Sequence, residues 1–259
     1  MTELWQQNLV IPWSWLGRVP YDRALALQRW LRQEVVEGRS SGALLLLEHP
    51  PTLTQGRSAR QENLRASPQQ LERLGIPLFR VERGGDVTYH GPGQLVGYPV
   101  LPVRGGVRRF VEALGEAARV LLEGLGIEAA WDPERPGLWT AKGKIAAVGL
   151  HVHRGVAIHG VALNVAPDLG HFDLIVPCGI CGARVTSVRA ILGEAPPLEV
   201  LAASFASAFA EALGMTLGNG PAGTREREGD GSSRMKAARL DALPLPPWWE
   251  GSGSSEVGP

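Results

Sequence analysis

Cysteine is scarce in this sequence: two in 259 residues, Cys178 and Cys181. That is too few for a disulfide framework. The opening "MTELWQQNLVIPWSWLGRVP" lacks the charged-then-apolar layout of an export signal, so the thiols are expected to be free in a reducing cytoplasm. Net charge is missing too. Lysine plus arginine number 26, and so do aspartate plus glutamate, which excludes a nucleic-acid binder working through bulk charge. No apolar run approaches the ~20 residues of a membrane span. The strongest, "ALLLLEHPP", reads as a short buried strand. Neither membrane nor nucleic acid is expected as a partner. What remains is 44% hydrophobic and 20% charged, the balance of a globular protein long enough for a sizeable core.

Periodicity divides the chain. Tyr21–Gly38 carries Tyr21, Ala24, Leu25, Leu31 and Val35 at helical spacing, and Gly38 stops it. Ala43–Leu47 reads as a strand ended by Pro50-Pro51. Leu78–Val81 and Gln94–Leu101 read as strands separated by the polar loop "RGGDVTYHGPG". Arg108–Leu125 predicts a helix with Val111, Leu114, Ala118, Leu121, Leu122 and Leu125 on one side. From Gly137 the pattern is three strands in a meander, with turns at Lys142-Gly143 and Arg154-Gly155. Leu198–Gly214 closes as a helix. After Gly218 the chain is rich in Gly, Pro, Ser and charge, so residues 218–259 are expected to be a disordered tail. "ARLDALPLPPWWE" within it has enough apolar character to dock. Residues 1–217 are expected to form one α/β domain, helices packed on a mixed sheet.

Chemistry concentrates in a few segments. "VERGGDVTYHGPGQLVGYPVL" (81–101) mixes five glycines with Arg83, Asp86, Thr88, Tyr89, His90 and Gln94. Glycine lets a backbone approach a ligand closely, and the polar density favours a ligand loop over an ordinary hairpin. The spacing is neither a dinucleotide fingerprint nor a P-loop. Lys144 opens an apolar strand, where it either snorkels to water or brings a positive charge to an interior site. His159, Gly160 and Asn164 share another strand; a lone strand histidine is more often structural. Cys178 and Cys181 form a C-x-x-C in "DLIVPCGICGARVTS" (173–187). Three chemistries fit: a redox dithiol, half a zinc site, or a nucleophile beside a bystander. A redox pair wants a helix N-terminus, and a zinc site wants a second Cys/His pair at set spacing. A nucleophile wants a nearby cation or base.

Taken in order, "YDRALALQRWL", "LLLLEHPPTLTQGR", "RGGDVTYHGPGQLVGYPVL", "GKIAAVG", "HGVALNV" and "PCGI…VTS" resemble segments of the lipoyl(octanoyl) transferases. These enzymes move an octanoyl group from acyl carrier protein onto a lysine of lipoyl domains. The resemblance runs over about residues 20–213 and implies the α/β (α+β) fold of the biotin and lipoate protein ligases. It implies Cys178 as nucleophile and Lys144 as its partner. It implies a substrate pocket built from Arg83, Gly84, Gly85, Asp86, Val87, Thr88, Tyr89 and His90. Ala147, Val148 and Gly149, with Gly160, Val161 and Ala162, complete that pocket. No cofactor and no metal are implied. The implied partners are acyl carrier protein as donor, and lipoyl domains of 2-oxoacid dehydrogenase complexes and the glycine cleavage H protein as acceptors. Thr52–Gln55 departs from the family's usual V-Y-T-L-like run, and Cys181 lies outside its pattern. Both acidic protein substrates would be helped by a basic rim, for which Arg57, Arg60, Arg65 and Arg73 are available. Two alternatives share the fold: an octanoyl amidotransferase between lipoyl domains, and an ATP-dependent lipoate or biotin ligase.

Overall fold

The computed structural model describes residues 10–176 and 184–218, together with Pro246 and Trp249. Two strands, β1 (Val10–Ile11) and β2 (Trp13–Arg18), lead into helix α1 (Tyr21–Val36). α1 buries Tyr21, Ala24, Leu25, Leu27 and Leu31, and also a polar Gln28. β3 (Ala43–Glu48) is the apolar run, buried on both faces because helices cover the sheet on either side. Past the two prolines the chain re-enters a strand, β4 (Thr52–Gln55).

Helix α2 (Pro68–Leu74) is too short for periodicity to reveal, and its ends define it instead. The Ser67 hydroxyl accepts the Gln70 N–H at 3.2 Å, Pro68 takes the first helical position, and Gly75 closes it at φ 63°. Ser67→Ala is expected to cost about 1 kcal/mol. The urea-unfolding midpoint should fall while the slope stays unchanged.

β5 (Leu78–Arg80) and β6 (Val87–His90) flank β4 in a small three-stranded sheet ordered β5-β4-β6. β6 lies inside the expected loop. Its Val-Thr-Tyr run is strand-forming, but glycines on both sides mask it. β7 (Gln94–Val100), α3 (Val107–Gly124), β8 (Ala130–Trp131) and β9 (Gly137–Thr140) follow. Then come β10 (Gly143–His153) and β11 (Val156–Asn164), joined by a tight turn with Arg154 at φ 50° and Gly155 at φ 78°. Helices α4 (Val188–Leu192) and α5 (Leu198–Leu213) and strand β12 (Thr216–Leu217) close the chain.

The main sheet has the order β2-β3-β7-β11-β10-β9-β8. β2 and β3 are parallel, and the other pairs are antiparallel. α3 and α5 cover one face through Phe110, Leu114, Leu121, Phe205 and Phe209. α1 covers the other, where Leu27 and Leu31 meet Leu45, Leu47, Val96 and Ile158. Val111, expected on the buried side of α3, is instead half-buried, with Phe110 taking its place in the core. Of the expected tail, Trp249 is buried in the second core. The Arg23 guanidinium lies 5.2 Å from its ring centre and donates to its carbonyl at 3.3 Å. Among the described residues no helix is long and apolar enough to cross a membrane.

Candidate active site

A cavity of about 670 Å³ lies on the α1 side of the main sheet, between the Arg83–Thr88 loop and strands β10 and β11. Its floor follows from strand register. Ala147 stands opposite Ala162, and Gly149 opposite Gly160. Four small residues on one face leave a slot where larger side chains would fill it.

The roof is held by Arg83. Its guanidinium is buried and donates to the Thr54 carbonyl at 2.7 Å, the Thr54 hydroxyl at 2.9 Å and the Gly84 carbonyl at 2.9 Å. Gly84 N–H donates to the Leu150 carbonyl at 2.8 Å, which pins the loop across β10. Space between the loop and β10 is tight. A Cβ on Gly149 would stand 3.0 Å from the Gly84 carbonyl oxygen. Asp86 accepts from Asn63, from Arg60 N–H and from its neighbour Val87 N–H, which fixes the far side of the loop.

Lys144 reaches the cavity through an irregularity. β10 pairs Lys144 with Trp139 but Ala146 with Leu138, so Ile145 is an extra residue. Side chains alternate along a strand, and a regular β10 would turn Lys144 away from Ala147 and Gly149. One inserted residue restores it to their face. Ile145 and Ala146 both enter the core, while Lys144 lines the cavity at 6% exposure. Its Nζ donates to the Pro136 carbonyl at 2.8 Å.

β11 ends beside Ala146, and residues 184–186 take over its place along Lys144. Lys144 N–H donates to the Arg184 carbonyl at 2.8 Å, and Thr186 N–H donates to the Lys144 carbonyl at 2.9 Å. A buried amide relay holds this segment. Asn164 donates to the Thr186 carbonyl, Gln94 donates to Asn164 and to the Tyr89 carbonyl, and His90 Nδ1 donates to Gln94.

A polar group lines the other end. Tyr21 stacks on His90 with ring centres 5.9 Å apart. His49 Nδ1 donates to the Val19 carbonyl at 2.7 Å, and its Nε2 accepts from the Tyr98 hydroxyl at 2.8 Å. Burial pushes the His49 imidazole down to about 4, drives His90 well below its usual range, and raises Tyr21 to about 12. These rings are therefore neutral at pH 7. His159 lies here at φ 61°, a left-handed conformation rare for a non-glycine residue. Its N–H donates to the Gln28 side chain at 2.8 Å. Among the described residues its Nε2 has no hydrogen-bond partner, the Glu82 carboxylate being 3.9 Å away.

The structure brings most of the expected residues together around this cavity: Arg83 to Thr88, His90, Lys144, Ala147 to Gly149 and Gly160 to Ala162. Tyr89 is a correction. Its ring packs with Leu53 and Phe172 in the core of the small sheet, and its hydroxyl meets His171 at 2.9 Å. In β6 it falls between Thr88 and His90, so it faces the opposite way. Cys178 and Cys181 lie outside the described residues. Arg57 and Arg60 are exposed beside the loop, tied by their backbone to Arg83 and Asp86. Arg65 and Arg73 are exposed on the small-sheet side. Periodicity did not mark Tyr21, Tyr98, Pro136 or Trp139 as site residues, because each belongs to an element that also reads as ordinary core or turn.

Comparison with known proteins gives the family and the fold. Residues 20–210 match the family model of the lipoyl protein ligase A/B catalytic domain. The chain is 49% identical over 207 residues to an octanoyltransferase of Myxococcus xanthus, covering 75% of this chain and 58% of that one. It is 48% identical to an octanoyltransferase of Alkaliphilus metalliredigens, covering 69% and 84%. Among solved structures, a lipoate-protein ligase A bound with ATP superposes with TM-score 0.65 at 17% identity, covering 81% and 88%. Ta0514, a lipoate protein ligase-like protein from T. acidophilum, gives 0.64 at 16%, with the same coverage.

Proposed function

We propose that this chain, which belongs to the lipoyl protein ligase A/B catalytic-domain family and is an acyltransferase of the octanoyltransferase type, takes its octanoyl group from acyl carrier protein and passes it through a Cys178 thioester to a lipoyl-domain lysine. The observation that carries this reading is Lys144: a buried lysine that a one-residue bulge turns into a cavity floored by alanine and glycine. The described residues that flank Cys178 in the sequence are tied to the cavity. Val176 N–H donates to the Asn63 carbonyl, and the Asn63 side chain bonds Asp86 on the cavity wall. The other described end, Arg184, is bonded to Lys144 itself.

The chemistry then runs in two steps. The Cys178 thiolate attacks the carbonyl carbon of the donor thioester. The carbon–sulfur bond to the carrier's thiol breaks, and that sulfur leaves and takes a proton. The acceptor's ε-amine next attacks the Cys178 thioester, forms an amide, loses a proton and releases the Cys178 sulfur. Lys144 stabilises the thiolate by opposite charge at short range. It relays the proton in the second step. Neutral His90 orients substrate. At ~0.8 kcal/mol per buried CH₂, the slot contributes several kcal/mol to holding eight carbons. Arg57 and Arg60 form the rim for acidic partners. Residues 1–217 serve as the catalytic unit in the cytoplasm, and residues 218–259 have no catalytic role.

The test is intact-mass analysis after incubation with octanoyl-acyl carrier protein, without ATP. One octanoyl adduct is expected, with peptide mapping placing it on Cys178. An adduct on Cys181, or labelling that requires ATP and free octanoate, sinks this reading. Labelling from an octanoylated lipoyl domain but not from the carrier protein indicates the amidotransferase instead.

A further inference from the structure

Lys144 is held by a short stretch of the preceding strand and turn. Its Nζ stands 5.6 Å from the centre of the Trp139 ring while donating to the Pro136 carbonyl at 2.8 Å. A ring face attracts a cation within ~6 Å, and a carbonyl oxygen attracts one by hydrogen bonding. Trp139 and Lys144 are direct cross-strand partners, at the point where β10 bulges. Gly137 completes the arrangement. It sits at φ 143°, and a Cβ built there would stand 2.3 Å from the Ala146 carbonyl oxygen, 2.5 Å from Lys144 Cε and 3.0 Å from Nζ. The end of the lysine and the backbone of β10 together fill the space a side chain would need.

Trp139 is fixed in turn. Its indole N–H donates to the Arg135 carbonyl at 3.0 Å, and the Arg135 guanidinium lies 4.2 Å from its ring centre. Arg135 is itself held by Asp132 at 2.5 Å, and Asp132 accepts the backbone N–H groups of Glu134 and Arg135. Each link is local, so the ring is set before any substrate arrives.

We propose that Trp139 is a positioning residue: with the Pro136 carbonyl it forms a fixed seat that keeps the Lys144 ammonium aimed at the cavity. The inference rests on the proposed partnership of Lys144 with Cys178. It adds that the partnership depends on a ring that does not itself line the cavity. A flexible lysine would sample many rotamers, and restricting it costs up to ~2 kcal/mol of side-chain entropy. The seat meets that cost during folding, so it is not repeated in each catalytic cycle.

The experiment measures the rate of iodoacetamide alkylation at Cys178 against pH, in a Cys181→Ser background, alongside kcat/KM for octanoyl transfer. Trp139→Leu is expected to move the alkylation profile to higher pH and lower kcat/KM about tenfold, in line with a desolvated cation–ring contact. Trp139→Phe keeps a ring face and should retain most of both. A profile like wild type in Trp139→Leu overturns the seat. Equal losses in Trp139→Leu and Trp139→Phe, with equal thermal midpoints, also overturn it, because the ring face would then be immaterial. A Lys144→Met profile identical to wild type tells against the Lys144–Cys178 partnership itself. Shifted profiles in a protein that transfers no octanoyl group leave the seat standing and sink the octanoyl reading.

Discussion

Cys178→Ser and Lys144→Met are each expected to retain about a thousandth or less of wild-type octanoyl transfer at pH 7, the scale of losing a nucleophile or a positioned proton carrier. The two losses differ in their pH dependence. Serine keeps the shape but replaces a readily ionised thiol with a hydroxyl, so activity should not recover at any accessible pH. Methionine keeps the aliphatic stem of Lys144 and removes its three donors. The Cys178 thiol then titrates like a free one near ~8.5. Its thiolate fraction rises from a few per cent at pH 7 to about half at that pH. The Lys144→Met deficit should therefore shrink between pH 7 and 9, leaving the part due to proton relay. Initial rates from pH 6.5 to 9.5 read both curves. A Lys144→Met enzyme within tenfold of wild type at pH 7 removes Lys144 from the chemistry.

Acidification from pH 7 to about 4 is expected to remove roughly 3 kcal/mol of stability through His49 alone. His49 is fully buried, and burial lowers its folded-state pKa to about 4 against an ordinary 6.5. The unfolded chain takes up the proton first. The contribution is complete above ~6.5 and is lost as pH falls through the window down to about 4. Among the described residues the faces around His49 offer no carboxylate to offset this: its ring contacts are Tyr21, His90 and Tyr98, and Arg83 lies near enough to oppose protonation of His90. Burial lowers His90 and His159 in the same direction, so their losses add. Glu82, held low chiefly by His159 and then by Arg29, gives up its share only below its unfolded value near 4.5. Urea unfolding at pH 7, 5.5 and 4.5 should show a falling midpoint. His49→Gln starts lower but should show a flatter dependence. Parallel lines for the two proteins would remove His49 as the source.

Much of this architecture is legible in short stretches of sequence. α1 and α5 show their buried faces as apolar spacing. The β10–β11 hairpin shows its turn as Arg154-Gly155, where two successive residues take positive φ. The loop that roofs the cavity is visible as glycine and polar density between two apolar runs. These signals are local because a helix turn or a tight hairpin is set by residues within a few positions of each other.

The parts that shape the cavity are not local. Nothing in "GKIAAVG" says that Ile145 is an extra residue. Only the pairing of β10 with β9 on one side and with residues 184–186 on the other decides that Lys144 shares a face with Ala147. Tyr89 sits among ligand-loop residues in sequence, yet its pairing opposite Leu53 turns it into the small core. His49, Tyr98 and Tyr21 come from three elements and meet only because α1 lies across the sheet. The sequence by itself determined the family, the three long helices, the hairpin and the inventory of candidate groups, because spacing and residue type suffice for these. The tertiary structure alone decided which face each group presents, which rings stay neutral through burial, and where the lysine is seated. Those properties depend on contacts between residues far apart in the chain.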